Sequence, residues 1–185
     1  MTGHERVGAA ESDAELVQRG RSGDERALGL LVERHQDAAY RLALSITRDE
    51  DTAHDVVQDA YLKAFRALDG FRGDASFRTW LMTIAANEAR GALRKTKRRR
   101  ETPLEAVGPV GSDERDPAES AALADETRRA RAMLERLPEK QRLSVSLRIE
   151  EGMSFREIGT LIGSSEGAAR VNYFHGIRRL RELME

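Results

Sequence analysis

The sequence predicts an all-α protein made of two small helical domains joined by a flexible acidic linker. Wherever the chain is patterned, apolar residues recur at helical spacing, never in the alternation of a strand. Three Ser-x-x-Glu pairs, Ser12/Glu15, Ser22/Glu25 and Ser154/Glu157, fit capping boxes, in which Ser and Glu side chains satisfy the orphan N–H groups of a helix start. Between the patterned halves, Pro103, Gly108, Pro109, Gly111 and Pro117 lie in an acidic stretch without aromatics, the composition of an extended tether. The expected layout is a disordered N-terminus over 1–12, a helical domain over 13–98, the linker over 99–119 and a second helical domain over 120–185.

Each element follows from local signals. The second capping box opens a run with Ala27, Leu30, Leu31, Ala38, Ala39, Leu42 and Leu44 on one helical face. The polar segment Thr47–Thr52 breaks it. A further helix is expected from about Asp51 to Leu68, with Val56, Ala60, Phe65 and Leu68 inward. Gly70 and Gly73 bracket a turn. A long helix then starts near Ser76 and runs into the basic block RKTKRRR. After the linker, Ser120–Leu137 is helical, Pro138 suits the first turn of the next helix, and Gly152 ends it.

Charge is balanced in total, −1 over 185 residues, yet strongly segregated. Arg90 to Arg100 holds seven basic residues and no acidic one, a balance of +7. Glu101 to Thr127 holds eight acidic and one basic, −7. Arg128 to the end holds twelve basic and eight acidic, +4. Local fields of this kind attract anionic partners despite a neutral sum. With no Cys there is neither a disulfide framework nor a thiolate site, which fits a reducing cytosol. No run of 18 apolar residues occurs, and the first residues carry no apolar signal-peptide core, so the expectation is a cytoplasmic protein without membrane insertion. An enzyme is disfavoured. The P-loop, HExxH and GxSxG patterns are absent, and His4, His35, His54 and His175 are scattered without metal spacing. No cofactor is expected.

The C-terminal segment carries the clearest motif. Ser154 starts a short helix with Phe155, Ile158, Leu161 and Ile162 inward, Gly163-Ser164-Ser165 turns the chain, and a longer helix follows from about Ser165 to Leu183 with Ala169, Tyr173, Ile177 and Leu180 inward. This is the helix-turn-helix plan, whose second helix enters the DNA major groove. Arg170, Phe174 and Arg178 share its outer side at i, i+4 and i+8, with Val171 and His175 beside them. An Arg there reaches a guanine edge or a phosphate, and a Val contacts a thymine methyl. The same segment also fits an ordinary helical hairpin with a solvated face.

The stretches "DAELVQRGRSGDERALGLLVERHQDAAYRLAL", "DVVQDAYLKAFRALDGFRGDASFRTWL" and "LPEKQRLSVSLRIEEGMSFREIGTLIG" together resemble the extracytoplasmic-function (ECF) sigma factors of bacterial RNA polymerase, over nearly the whole chain. The resemblance implies a region-2 domain, a flexible linker and a region-4 helix-turn-helix domain. It also implies the activity: binding core RNA polymerase at the largest-subunit clamp and at the flap, directing it to promoter DNA, and helping to melt the −10 element. A helix-turn-helix regulator such as a response-regulator output domain is the alternative, but residues 10–98 carry no strand–helix alternation and no phosphoacceptor arrangement. An anti-sigma factor is a further partner the resemblance implies.

The resemblance assigns residues to these roles. The helix bearing DVVQDAYLKAF docks on the clamp through Asp55, Gln58, Asp59, Leu62 and Lys63; the first four lie at i, i+3, i+4 and i+7, one polar stripe with one apolar anchor. A merely solvated face has the same pattern. The loop LDGFRGDASF stands where the family captures an unstacked −10 base, which makes Phe71, Arg72, Asp74 and Ser76 candidates. Asn87 matches a position that reads the −10 strand, with Arg90 and Arg94 on nearly the same face as phosphate ligands. Phe65, Phe77 and Trp80 are read as core, because a domain of ~90 residues needs its large rings inside; Phe71 fits either role. The acidic linker is either a nucleic-acid mimic inside the polymerase or a solubilising spacer. In the recognition helix this chain has GAARVNYFHGI. Gly167 and Arg170 match the family pattern, but Val171 stands for a small polar residue, Asn172 for a basic one and His175 for an Arg. The expectation is a non-consensus −35 element or a weaker dependence on it.

Overall fold

The computed structural model describes residues 11–101, 129–130 and 132–184. Among these the chain is helical and holds no strand. The elements are α1 (Asp13–Arg21), α2 (Glu25–Thr47), α3 (Glu50–Arg66), a 3-10 turn (Leu68–Gly70), α4 (Phe77–Glu101), α5 (Glu139–Ile149), α6 (Phe155–Leu161) and α7 (Glu166–Met184), with further helical backbone at 129–130 and 132–135. Residues 1–10, most of the expected linker and the stretch 120–128 lie outside the described residues. Two expected boundaries move. Glu11 and Ser12, placed in the disordered N-terminus, belong to the start of α1: Glu11 pairs with Arg19 at 2.6 Å and Ser12 is the N-cap. Residues 99–101, placed in the linker, continue α4.

Local chemistry sets the helix ends. The capping boxes at Ser12/Glu15 and Ser154/Glu157 both form. The box expected at Ser22/Glu25 does not. Ser22 instead closes α1, its N–H returning to Arg19 and Gly20 carbonyls, and Asp24 caps α2 by accepting from Arg26 and Ala27 N–H at 3.0 and 3.2 Å. Gly23, at φ +88°, reverses the chain between the two helices and delivers the nearer Asp carboxylate to the N-terminus. Pro138 sits at the N-cap of α5, one residue before the first turn. Gly152 lies in the following loop at φ +64°, after α5 has ended at Ile149.

Helices α1–α4 form the first bundle. At one end Leu16, Leu31, Leu81 and Phe77 are sealed against Tyr61, whose hydroxyl donates to the Val32 carbonyl at 3.3 Å. Burial, with a smaller contribution from Asp37, pushes the Tyr61 phenol up. At the other end Leu42, Ile46, Val56, Met82 and Ala86 belong to a core that continues into α5–α7 through Leu143, Leu147, Met153, Ile158 and Ala169. The two bundles therefore share one apolar seam, formed where α5 and α6 rest on α2 and α4.

In the second bundle α6 meets the turn to α7 at very close range. A Cβ on Gly159 would lie 2.9 Å from the Ser164 carbonyl oxygen and 3.0 Å from the Ser165 carbonyl carbon. These are backbone atoms, so nothing flexible can yield. Gly163, at φ +61°, makes the turn itself.

Gly159→Ala is expected to destabilise the protein by about 1–3 kcal/mol in urea unfolding, through overpacking. Gly29→Ala, at an exposed helical site whose Cβ would meet nothing within 4 Å, is expected to stabilise it by about 0.5–1 kcal/mol. Stability should also fall in acid. Hydrogen bonds from Ser12 hold the Glu15 carboxyl below its usual range. Those from Arg19, Ala27 and Arg26 do the same for Asp24, and those from Thr52 for Asp49. For Glu157, burial pushes upward but is outweighed by Ser154, Thr79 and Arg78. A carboxyl with a depressed folded pKa contributes stability above its unfolded value, and that contribution is lost as pH falls through the folded value. The melting temperature is therefore expected to drop between about pH 5 and about pH 3 in calorimetry, and less steeply in Asp24→Asn.

Candidate nucleic-acid and partner interfaces

Three exposed faces carry the residues singled out in the sequence. The first is the outer side of α3. Asp49 caps this helix, and Ala53, Val56, Ala60 and Ala64 turn inward, which leaves Asp55, Gln58, Asp59, Leu62 and Lys63 all exposed. Leu62 is 54% exposed, an apolar anchor standing out of a polar stripe. Lys63 is drawn to the edge of the stripe by Glu88 of α4, at 2.6 Å.

The second face combines the loop before α4 with the outer side of α4. Phe71 is half-buried. Its ring packs edge-on against Phe77, with centroids 6.1 Å apart, and tilted against Trp80 at 5.0 Å. Arg21 donates to the carbonyls of both Leu68 and Phe71, which ties the loop to α1. Phe71 is thus an anchored wall of the loop. Arg72 and Asp74 project from it around Gly73, whose φ is +79°. Ser76 plays a structural part, since its Oγ accepts from the Thr79 N–H at 3.1 Å and caps α4. Phe77 is buried, and Phe65 and Trp80 pack partly buried against the same cluster, as the core reading of these rings expects. Asn87 and Arg94 are exposed on α4. Arg90, on the same side, is half-buried because it faces Glu139 of α5 at 3.4 Å.

The third face is the outer side of α7. Ser165 caps the helix by accepting from the Ala168 N–H at 3.2 Å, and Ala169 and Gly176 are buried against α5 and α6. Arg170, Val171, Phe174, His175 and Arg178 are all exposed, Val171 by 54% and Phe174 by 58%. Arg170 is held in place twice, by Glu166 at 3.2 Å and by the Phe155 ring, whose centroid lies 5.2 Å from the guanidinium carbon. Arg178 pairs with Glu182 at 3.0 Å. Asn172 is turned aside, its amide donating to the Ala168 carbonyl at 2.8 Å.

Sequence reasoning missed the residues that join the bundles: Arg41, Arg78, Thr79, Glu139, Arg142 and Glu151. Their partners lie 49 to 110 positions away, so no local pattern marks them. Arg142 is equally unmarked, since it follows Glu139, Lys140 and Gln141 in the first turn of α5.

Comparison with known proteins places this arrangement. The family described as Sigma-70 region 2 matches residues 31–99, and the family described as Sigma-70, region 4 matches residues 127–180. The RNA polymerase sigma-H factor of Pseudomonas aeruginosa is 35% identical, over 95% of this chain and 93% of its own length. The ECF RNA polymerase sigma-E factor of Escherichia coli is also 35% identical, over 94% and 93% respectively. Among solved structures, CnrH in complex with the cytosolic domain of CnrY superposes with a TM-score of 0.69 at 29% identity, covering 94% of this chain and 97% of that one. RpoE of Bartonella quintana, bound to the anti-sigma factor NepR, gives 0.65 at 25% identity over 84% and 95%. The two matched regions in this order, with full-length relatives at such identity, show that the chain belongs to the ECF sigma factors of bacterial RNA polymerase.

Proposed function

We propose that the chain binds core RNA polymerase and directs it to promoters, acting by binding alone and without a catalytic step of its own. The outer stripe of α3 docks on the polymerase clamp. The 71–76 loop and the outer side of α4 capture the melted −10 strand, with Asn87 on a base edge and Arg90 and Arg94 on phosphates. The outer side of α7 reads the −35 duplex. An anti-sigma factor, such as the one bound to the Bartonella relative, is the expected inhibitor.

The observation that supports this reading most is the outer side of α7. A short helix, a glycine turn and a longer helix present two large apolar side chains and two arginines to solvent on one side. A solvated hairpin has no use for Val171 and Phe174 there, whereas a major-groove helix uses apolar contacts beside charged ones. Arg170, clamped by Glu166 and Phe155, is pre-ordered for a bidentate contact, which lowers the entropy lost on binding.

In vitro transcription with purified core polymerase is expected to yield discrete start sites, and none without the chain. Leu62→Ala should weaken polymerase binding roughly tenfold, about 1.4 kcal/mol, at unchanged melting temperature, because this side chain is exposed. Polymerase binding that ignores Leu62 and Asp59 substitutions would rule out the α3 stripe. On −35 duplex DNA, Arg170→Ala should cost about 1–3 kcal/mol of holoenzyme affinity and relax selectivity at one base position. His175→Arg should strengthen binding and raise the salt slope by about one phosphate contact. If neither Arg170→Ala nor His175→Ala changes −35 affinity, α7 does not read this element.

A further inference from the structure

Three elements of the second bundle meet on one aromatic ring. Phe155, the first residue of α6, packs against the apolar seam and stays half-buried. Two guanidiniums reach the same ring. The Arg148 carbon, from α5, lies 5.0 Å from its centroid, and the Arg170 carbon, from α7, lies 5.2 Å away. Tyr173 of α7 crosses it steeply with centroids 5.5 Å apart, and Phe174 packs on Tyr173 in turn at 5.3 Å. The ring is itself fixed. The Ser154/Glu157 capping box sets the backbone on either side of Phe155, and Arg148 donates to the Met153 carbonyl at 2.8 Å, which holds the preceding loop beside the ring.

The two partners of Arg170 differ in what they leave free. Glu166 accepts one N–H of the guanidinium at 3.2 Å. Both side chains are more than half exposed, 56% and 53%, so this pair is screened by salt and contributes little. A phosphate or a base edge also competes for the same donors. The Phe155 ring attracts the guanidinium through its π-face and consumes no N–H. It can therefore hold the long side chain while the donor edge bonds to guanine. Holding matters, because an unrestrained Arg loses rotamer entropy on making a bidentate contact.

We propose that Phe155 is a positioning residue for −35 recognition: its ring holds the Arg170 guanidinium in the pose that reads one base pair, so part of the sequence preference of α7 is set from α6. Arg148 steadies the ring. Phe155 acts through Arg170, on the reading of α7 as the −35 helix, and needs no DNA contact of its own.

Holoenzyme binding is measured on a promoter found by start-site mapping, with each −35 base pair exchanged in turn. Arg170→Ala is expected to abolish the preference at one pair. Phe155→Leu, which keeps an apolar side chain and removes the π-face, should lower the preference at that same pair roughly two- to fivefold and leave the others unchanged. Phe155→Tyr keeps the face and should retain the preference. Phe155→Leu added to Arg170→Ala should cost no further preference, because the ring acts through the guanidinium. In NMR of the full-length chain, the Phe155 ring current should move the Arg170 side-chain resonances upfield, and Phe155→Leu should remove that displacement. Affinity lost equally for every sequence would mark Phe155 as a packing residue and overturn the proposal. Should Phe155→Leu fail to fold by circular dichroism, the Arg170 resonances of the unsubstituted chain decide, and undisplaced ones overturn it. If Arg170→Ala leaves every preference in place, the −35 reading of α7 itself fails, whereas an ineffective Phe155→Leu beside a damaging Arg170→Ala removes only the role of the ring.

Discussion

The close approach of α4 to α2 and α3 is the contact on which the rest of the molecule depends. Small residues line it: Ala85, Ala86 and Ala89 of α4 are 0 to 1% exposed, and Ala38, Ala39 and Ala43 of α2 and Ala53, Ala60 and Ala64 of α3 are buried as well. Alanine faces let helix backbones come near without leaving voids, and Leu81, Met82 and Phe77 then fill the remaining space. One helix thereby serves two surfaces. Its inner side completes the core of the first bundle, and its outer side carries Asn87, Arg90 and Arg94. A shift in how α4 packs would move the proposed −10 surface with it.

The proposed reading surfaces share a physical device. Each sits at or beyond a helix start where a side chain of the protein already accepts one of the orphan N–H groups: Ser76 for α4, Ser165 for α7, Asp49 for α3. The caps hold the helix starts in place before any partner arrives, and the exposed side chains are left for recognition. The loop at 71–76 follows the same logic, because Arg21 and the Phe71–Phe77–Trp80 ring cluster hold its beginning while Arg72 and Asp74 stay in solvent. A pre-ordered surface loses less entropy on binding than one that must be assembled.

The joint between the bundles obeys a different rule. Its apolar residues are ordinary core, and its specificity comes from Glu151, Arg142 and their partners. Burial lowers the basicity of the Arg142 guanidinium, aided by Arg48, but a guanidinium remains charged, so it must be solvated by carbonyls, and those of Ser45 and Leu137 do this. Polar groups of this kind contribute little net stability but penalise every misaligned arrangement, which makes the packing of the two bundles definite rather than sticky.

The sequence alone determined most of the fold. Helical periodicity is a local property, and so are the Ser12 and Ser154 caps, the outward stripe of α3 and the glycine turn before α7, because each depends on residues within about two turns of one another. The same locality placed Asp55, Asp59, Leu62, Asn87, Arg170 and Phe174 on outer faces. Local signals were weaker where two of them competed: Asp24 took the cap that Ser22 resembled, since Gly23 turned the chain between them. Only the tertiary structure decided that Phe71 anchors its loop, that Ser76 spends its hydroxyl on a cap, and that Arg90 faces Glu139. Above all, it decided the pairing of Glu151 with Arg41 and Arg78, which lie 110 and 73 positions away. Such pairings depend on how finished helices dock on one another, and a charged residue in sequence carries no mark of whether it will meet water or a partner from the far end of the chain.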